Sequence, residues 1–89
     1  MTETYVKVPN KIGLHADYAI KFVNLANKFT SEISVYKGEK KVNGKSLLGI
    51  LSVAIMQNDT IKITAKGVDE NQAVTKLSAF IKNLRDRNS

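Results

Sequence analysis

Apolar and polar side chains alternate along Thr4-Tyr5-Val6-Lys7-Val8, the period-two pattern of a half-buried strand, and Pro9-Asn10 punctuates its end. Beyond Lys11-Ile12-Gly13-Leu14-His15 the period lengthens. Ala19, Phe22, Val23, Ala26 and Phe29 recur at amphipathic spacing, which predicts a helix over residues 16–28. Alternation returns in Glu32-Ile33-Ser34-Val35-Tyr36, with Lys37-Gly38-Glu39 as a hairpin turn and Lys40-Lys41-Val42 as a short return strand. The run from Leu47 to Val53 is apolar enough for a strand or a short helix, and Ser46, a good N-cap, favours the helix.

Gln57-Asn58-Asp59 reads as a turn, and Thr60-Ile61-Lys62-Ile63-Thr64-Ala65-Lys66 is the cleanest alternating strand, closed by Gly67. Asp69, with Gln72 three residues on, reads as a variant capping box. The helix it opens has Ala73, Val74, Leu77, Phe80, Ile81 and Leu84 as its buried stripe and is expected to reach Leu84. The order is therefore βαββαβα. Strands with one apolar face each make one antiparallel sheet that helices cover on one side and solvent meets on the other, an α+β two-layer fold. Only the polar tail Arg85-Asp86-Arg87-Asn88-Ser89 stands outside this pattern.

The 89 residues suit a single domain, 1–89, and 43% apolar with 25% charged residues is the composition of an ordinary globule. A domain this small has little room for a deep, water-free site, so a surface site is expected. There is no cysteine and one histidine, which argues against disulfides and a metal centre; no cofactor is expected either. Met1-Thr2-Glu3-Thr4 lacks the blocks of a secretion signal and no apolar run approaches the ~20 residues of a membrane span, so a cytoplasmic location and no membrane partner are expected. The net charge is +6, from 14 basic and 8 acidic residues, which suits an acidic protein surface, nucleic acid or anionic lipid, and charge alone does not choose among them. No dense basic stripe interleaved with aromatics runs along the chain, and nucleic acid is not expected as a partner.

Two catalytic patterns fail on spacing. Gly44-Lys45-Ser46 before a helix resembles the end of a phosphate-binding loop, but the first glycine would have to be residue 39, which is Glu39. Asp17, two residues past His15 on a starting helix, points away from any triad geometry. His15 itself lies at a loop-to-helix junction beside Ala16, where exposure is expected. The first N–H groups of a helix lack internal partners and its dipole is positive there, so an anion attached to the imidazole would be stabilised. A phosphohistidine fits this physics, as does a plain capping histidine.

Gly13-Leu14-His15-Ala16, Ala26-Asn27-Lys28-Phe29, the run from Val42 to Ser52 and the run from Ile61 to Glu70 together resemble the HPr family, the histidine phosphocarriers of the bacterial sugar phosphotransferase system. The resemblance covers nearly the whole chain. It implies an open-faced β-sandwich with a four-stranded antiparallel sheet and three helices on one face, acting as a monomeric carrier rather than an independent catalyst. It further implies that His15 accepts a phosphoryl group on Nδ1 from enzyme I, charged by phosphoenolpyruvate, and passes it to enzyme IIA proteins. By the same resemblance Ser46 is the target of a serine kinase/phosphorylase whose product works with a catabolite regulator, and Ile20, Leu47, Leu48 and Leu51 form the docking patch.

The family continues His-Ala-Arg-Pro where this chain has His15-Ala16-Asp17-Tyr18. Asp17 thus reverses the charge of an arginine that neutralises the phosphoryl group, although a carboxylate in the first helical turn also suits the dipole. Ile12 removes a polar neighbour, and Tyr18 replaces a proline suited to a first helical turn. Lys11, Lys21 and Lys45 lie in the segments that form the site and are available to compensate. Two functions follow: phosphotransfer through His15, or an HPr-like regulatory and interaction protein impaired in that transfer, acting through partner binding and Ser46.

Overall fold

The computed structural model describes residues 1–86. Its elements are β1 (Thr2–Lys7), α1 (Ala16–Ala26), β2 (Glu32–Lys37), β3 (Lys40–Asn43), α2 (Leu47–Ser52), β4 (Thr60–Lys66) and α3 (Glu70–Lys82), the expected βαββαβα order. Arg87, Asn88 and Ser89 of the expected polar tail lie outside the described residues. The ambiguous run after Ser46 is helical, and β4 has the predicted bounds. α1 is shorter than predicted: Asn27 Nδ2 donates to Val23 O at 2.9 Å, and Phe29 N turns back to Ala26 O at 3.2 Å. α3 ends at Lys82, yet Leu84 beyond it is still buried in the core.

The strands lie in the order β1-β4-β2-β3, all antiparallel. β4 is flanked on both sides, and its register sets Ile63 opposite Thr4 on β1 and Val35 on β2. Because side chains alternate across a sheet, Val6, Ile33, Val35, Val42, Ile61, Ile63 and Ala65 share one face. The three helices cover it: α3 packs on β1 and β4, α1 on α2 and α3, and α2 on β3. Phe22 of α1 is fully buried, its ring 6.1 Å from that of Phe80 on α3.

The expected capping box does not form. Asp69 occupies the N-cap position of α3 but makes no side-chain cap bond. Its carboxylate instead accepts from Thr30 N at 2.9 Å, Ser31 N at 3.0 Å and the Ser31 hydroxyl, because the turn leaving α1 brings those donors within reach. Glu70 binds the strand side, accepting from Gly67 N at 3.2 Å and from the Thr2 hydroxyl at 2.6 Å. The two carboxylates therefore tie α3 to the α1–β2 turn and to β1.

These bonds are made to charged carboxylates. The Ser31 hydroxyl first, then Thr30 N–H, holds the Asp69 carboxyl at about 2, and the Thr2 hydroxyl first, then Gly67 N–H, holds Glu70 at about 2. A carboxyl whose pKa is lowered on folding contributes stability above its unfolded value and loses it as pH falls through the folded one. The melting temperature should therefore drop between about pH 4 and pH 2, and less steeply in Asp69→Asn, as thermal melts across that range will measure. Phe22→Ala should cost about 3–5 kcal/mol in urea unfolding, the usual cost of truncating a buried phenylalanine.

Candidate functional site

The loop before α1 is fixed from three directions. Leu14 N donates to Ile55 O at 2.9 Å, Asn10 Nδ2 donates to Gly13 O at 2.9 Å, and Leu14 is buried. Gly13 has φ +63°, and a Cβ there would lie 2.6 Å from Met56 Cα and also collide with the carbonyl oxygen of Ile55. Only glycine allows this loop to press against residues 55–56. Two residues after Gly13, His15 takes an extended backbone (φ −74°, ψ −178°) as the N-cap of α1, and Ala19 N donates to its carbonyl at 2.7 Å.

The His15 side chain makes no capping bond. Its ring leans on Tyr18, centroids 4.8 Å apart at 58°, so it is half-buried rather than exposed as expected, and Nε2 is buried without a hydrogen-bond partner. Tyr18 is itself in the core, and its hydroxyl donates to Arg85 O. It is thus an anchor for the C-terminal segment as well as a wall for the imidazole. Its place four residues before Phe22 puts it on the buried face of α1, a helical-spacing signal present in the sequence beside its replacement of a proline.

The start of the tail is part of the site. Asp86 accepts from Lys11 N at 2.7 Å, Ile12 N at 3.0 Å and Asn10 Nδ2 at 3.3 Å, and the Ile12 N–H above all holds its carboxyl below the usual range. Nothing in the sequence announces these bonds, since their donors, two backbone N–H groups and the Asn10 side-chain amide, lie 74 to 76 residues away. Asp17 stands exposed in the first turn of α1, with no salt-bridge partner among the described residues.

Of the three lysines expected to compensate, Lys45 is committed elsewhere, its Nζ donating to Phe29 O at 2.6 Å. Lys21 places its Nζ 5.9 Å from the centroid of the Tyr18 ring, and Lys11 contributes its backbone N–H to Asp86.

Ser46 caps α2, its Oγ accepting from Gly49 N at 3.1 Å. α2 packs against α1, and the two helices expose Ile20 (44%), Leu48 (81%) and Leu51 (39%). Leu47 is turned inward and packs partly against the core. Ile12 and Met56 are also exposed, on the two loops that meet at Gly13, so they extend the apolar surface around His15. No periodicity in the sequence marks Met56, a loop residue.

An open-faced β-sandwich whose first helix opens on a histidine is the architecture of the histidine-containing phosphocarriers. The chain belongs to that family: residues 2–83 match the family model described as the PTS HPr component phosphorylation site. Proteins of this family carry phosphoryl groups and are not catalysts. The chain is 48% identical over 81 residues, 91% of its own length and 96% of the relative's, to the HPr-like protein Crh of Halalkalibacterium halodurans. It superposes on HPr-C-His from Thermoanaerobacter tengcongensis with a TM-score of 0.89 at 44% identity, covering 92% of each chain. Against Bacillus subtilis Crh, solved as a domain-swapped dimer, the TM-score is 0.74 at 40% identity, covering 92% of this chain and 94% of the other.

Replacing the cap oxygen tests the local role of Ser46. Ser46→Ala should lower stability by about 1 kcal/mol in urea unfolding, the usual cost of losing a serine N-cap, whereas Ser46→Asp, which keeps an acceptor there, should melt close to the parent.

Proposed function

We propose that this protein is a phosphocarrier of the HPr type, with His15 as acceptor of a phosphoryl group from phosphorylated enzyme I and donor to enzyme IIA proteins. The observation that carries this reading is the His15 imidazole opening α1 with no capping bond and its Nε2 buried without a partner. Nδ1 is then the nitrogen left for transfer. Its lone pair attacks phosphorus as the nitrogen–phosphorus bond on enzyme I breaks, and the first N–H groups of α1 with the helix dipole receive the phosphoryl oxygens. Ile20, Leu48 and Leu51, with Leu47 at their edge, supply the apolar docking surface, and Ser46 is the regulatory phosphorylation site. No helix among the described residues is long and apolar enough to cross a membrane, and we place this reaction in the cytoplasm.

A second reading rests on Asp17. The carboxylate stands in the first turn without a paired cation, beside the position that the phosphoryl group would occupy. Together with the 48% identity to an HPr-like protein Crh, this favours a regulatory protein working through partner binding and phosphorylated Ser46, with His15 transfer slowed. The two readings share the fold and the docking patch and differ in the rate at His15. As to assembly, we take the chain as a monomer, with β1 clasped to α3 by Met1 N, 3.2 Å from Glu70 Oε2, and by the Thr2 hydroxyl on the same carboxylate; the swapped dimer of Bacillus subtilis Crh is the alternative assembly.

Labelling by phosphoenolpyruvate and enzyme I separates the readings. The carrier reading expects label on the parent and none on His15→Ala. Asp17→Arg should accept label faster by about tenfold, the effect of ~1.4 kcal/mol on the barrier. A parent that takes no label, while a serine kinase and ATP phosphorylate Ser46, gives the regulatory reading instead. Tyr18 should be left intact in this test, since proline there removes the hydroxyl that holds Arg85 O.

A further inference from the structure

The side of the sheet away from the helices carries a cluster that the linear sequence does not show. Strand pairing sets Tyr5 opposite Lys62, and Lys62 opposite Tyr36, which in turn faces Lys41 across the hairpin. Two tyrosines and two lysines from four strands thus form one row, with Lys7 and Thr60 beside it. Lys62 Nζ sits 4.4 Å and Lys41 Nζ 5.9 Å from the centroid of the Tyr36 ring, while Tyr5 is 63% exposed. A cleft of about 250 Å³ lies between the rings, lined by Tyr5, Tyr36, Gly38, Thr60 and Lys62.

Of the acids on this face, Glu3 stands opposite Thr64, two residues before Tyr5, and borders the cluster at that end, while Glu32, opposite Lys66, lies at the far end of the strands. Glu39 lies in the hairpin turn beyond Tyr36, and Asp59 is paired with Lys37 at 3.0 Å. Around the cleft in the sheet, three cations, Lys7, Lys41 and Lys62, face one acid, Glu3. No aliphatic side chain lies on this face of the four strands, which disfavours a lipid surface. An acidic protein surface would match the lysines and leave the open Tyr5 ring unused. Reading a duplex groove would take a projecting helix or two-stranded ribbon, and this face is the open side of a four-stranded sheet.

We propose that this face binds single-stranded nucleic acid, with a base stacked on Tyr5 in the cleft and the backbone phosphates on Lys7, Lys41 and Lys62. Aromatic rings flanked by cations on an open surface are what a single strand requires, since every base has a π-face and every linkage an anion. The face lies opposite the helices that carry His15 and Ser46, so this binding is independent of the reading given above.

The test is fluorescence anisotropy with a labelled thymidylate decamer, together with amide chemical-shift mapping of the full chain. Binding should weaken with salt along a log–log slope near −2, because each neutralised phosphate of a single strand contributes ~0.7. Shifts should fall on Tyr5, Tyr36 and Lys62 and spare residues 16–20. Tyr5→Ala should weaken binding by at least about fivefold, the low end of one lost base stack, with the slope unchanged, and Tyr5→Phe should restore it. Lys62→Ala should weaken binding and make the slope shallower by about 0.7. Thermal melts check that the variants fold. The proposal is overturned if the decamer does not bind at 20 mM salt, roughly the low-salt regime where ionic binding is strongest. It is equally overturned if the shifts map to the helices, if Tyr5→Ala binds as the parent does, or if polyglutamate or anionic vesicles compete as well as the decamer.

Discussion

Burial of the inner face of β4 is the constraint from which the remaining structure follows. Ile61, Ile63 and Ala65 are completely removed from solvent, and β4 is hydrogen-bonded to β1 on one side and β2 on the other. Each large aliphatic side chain so buried is worth about 1.5–3 kcal/mol. A slip of one residue in β4 would turn that set outward and bring Lys62 and Thr64 into the core, so the register is strongly specified. Once it is set, the inner faces of β1 and β2 are set by pairing, and the helices have one surface on which to lie.

The candidate site depends on that surface at one remove. α1 is held by Phe22, Val23 and Ala26 in the core, so its N-terminus comes to a defined place beside the loop that follows α2. There Leu14 N meets Ile55 O, and Gly13 lies close against residues 55–56, which fixes the loop two residues before His15. His15 is therefore positioned by backbone contacts rather than by its own side chain. Tyr18 and Asp86 then complete the surroundings, one through a ring contact and a hydroxyl bond, the other through the backbone N–H groups of Lys11 and Ile12. Loop, helix start and C-terminal segment form one unit around the imidazole, and within it the Asp17 carboxylate stands exposed while the Tyr18 ring is packed in the core.

Pattern and spacing in the chain were enough for the element order, the antiparallel sheet with one covered face, and the position of His15 at a helix start. They sufficed because period-two and helical spacings report which side chains share a face, and those in β4 and α3 are uninterrupted. The Ser46 cap was also legible, since its bond spans three residues. What the sequence could not settle were contacts between residues distant along the chain. Asp69 had the right spacing for a capping box and was drawn instead to Thr30 and Ser31, donors that only the packing of α3 beside the α1–β2 turn brings near. Lys45 lost its role as a compensating cation because Phe29 O lay within reach. Asp86 and Met56 joined the site, and Tyr5, Lys62, Tyr36 and Lys41 became neighbours, through pairings that leave no periodic trace. Local hydrogen bonding and the two spacings are written in one dimension; the groups surrounding an imidazole or a tyrosine ring are chosen in three, by the hydrophobic packing that folds the chain back on itself.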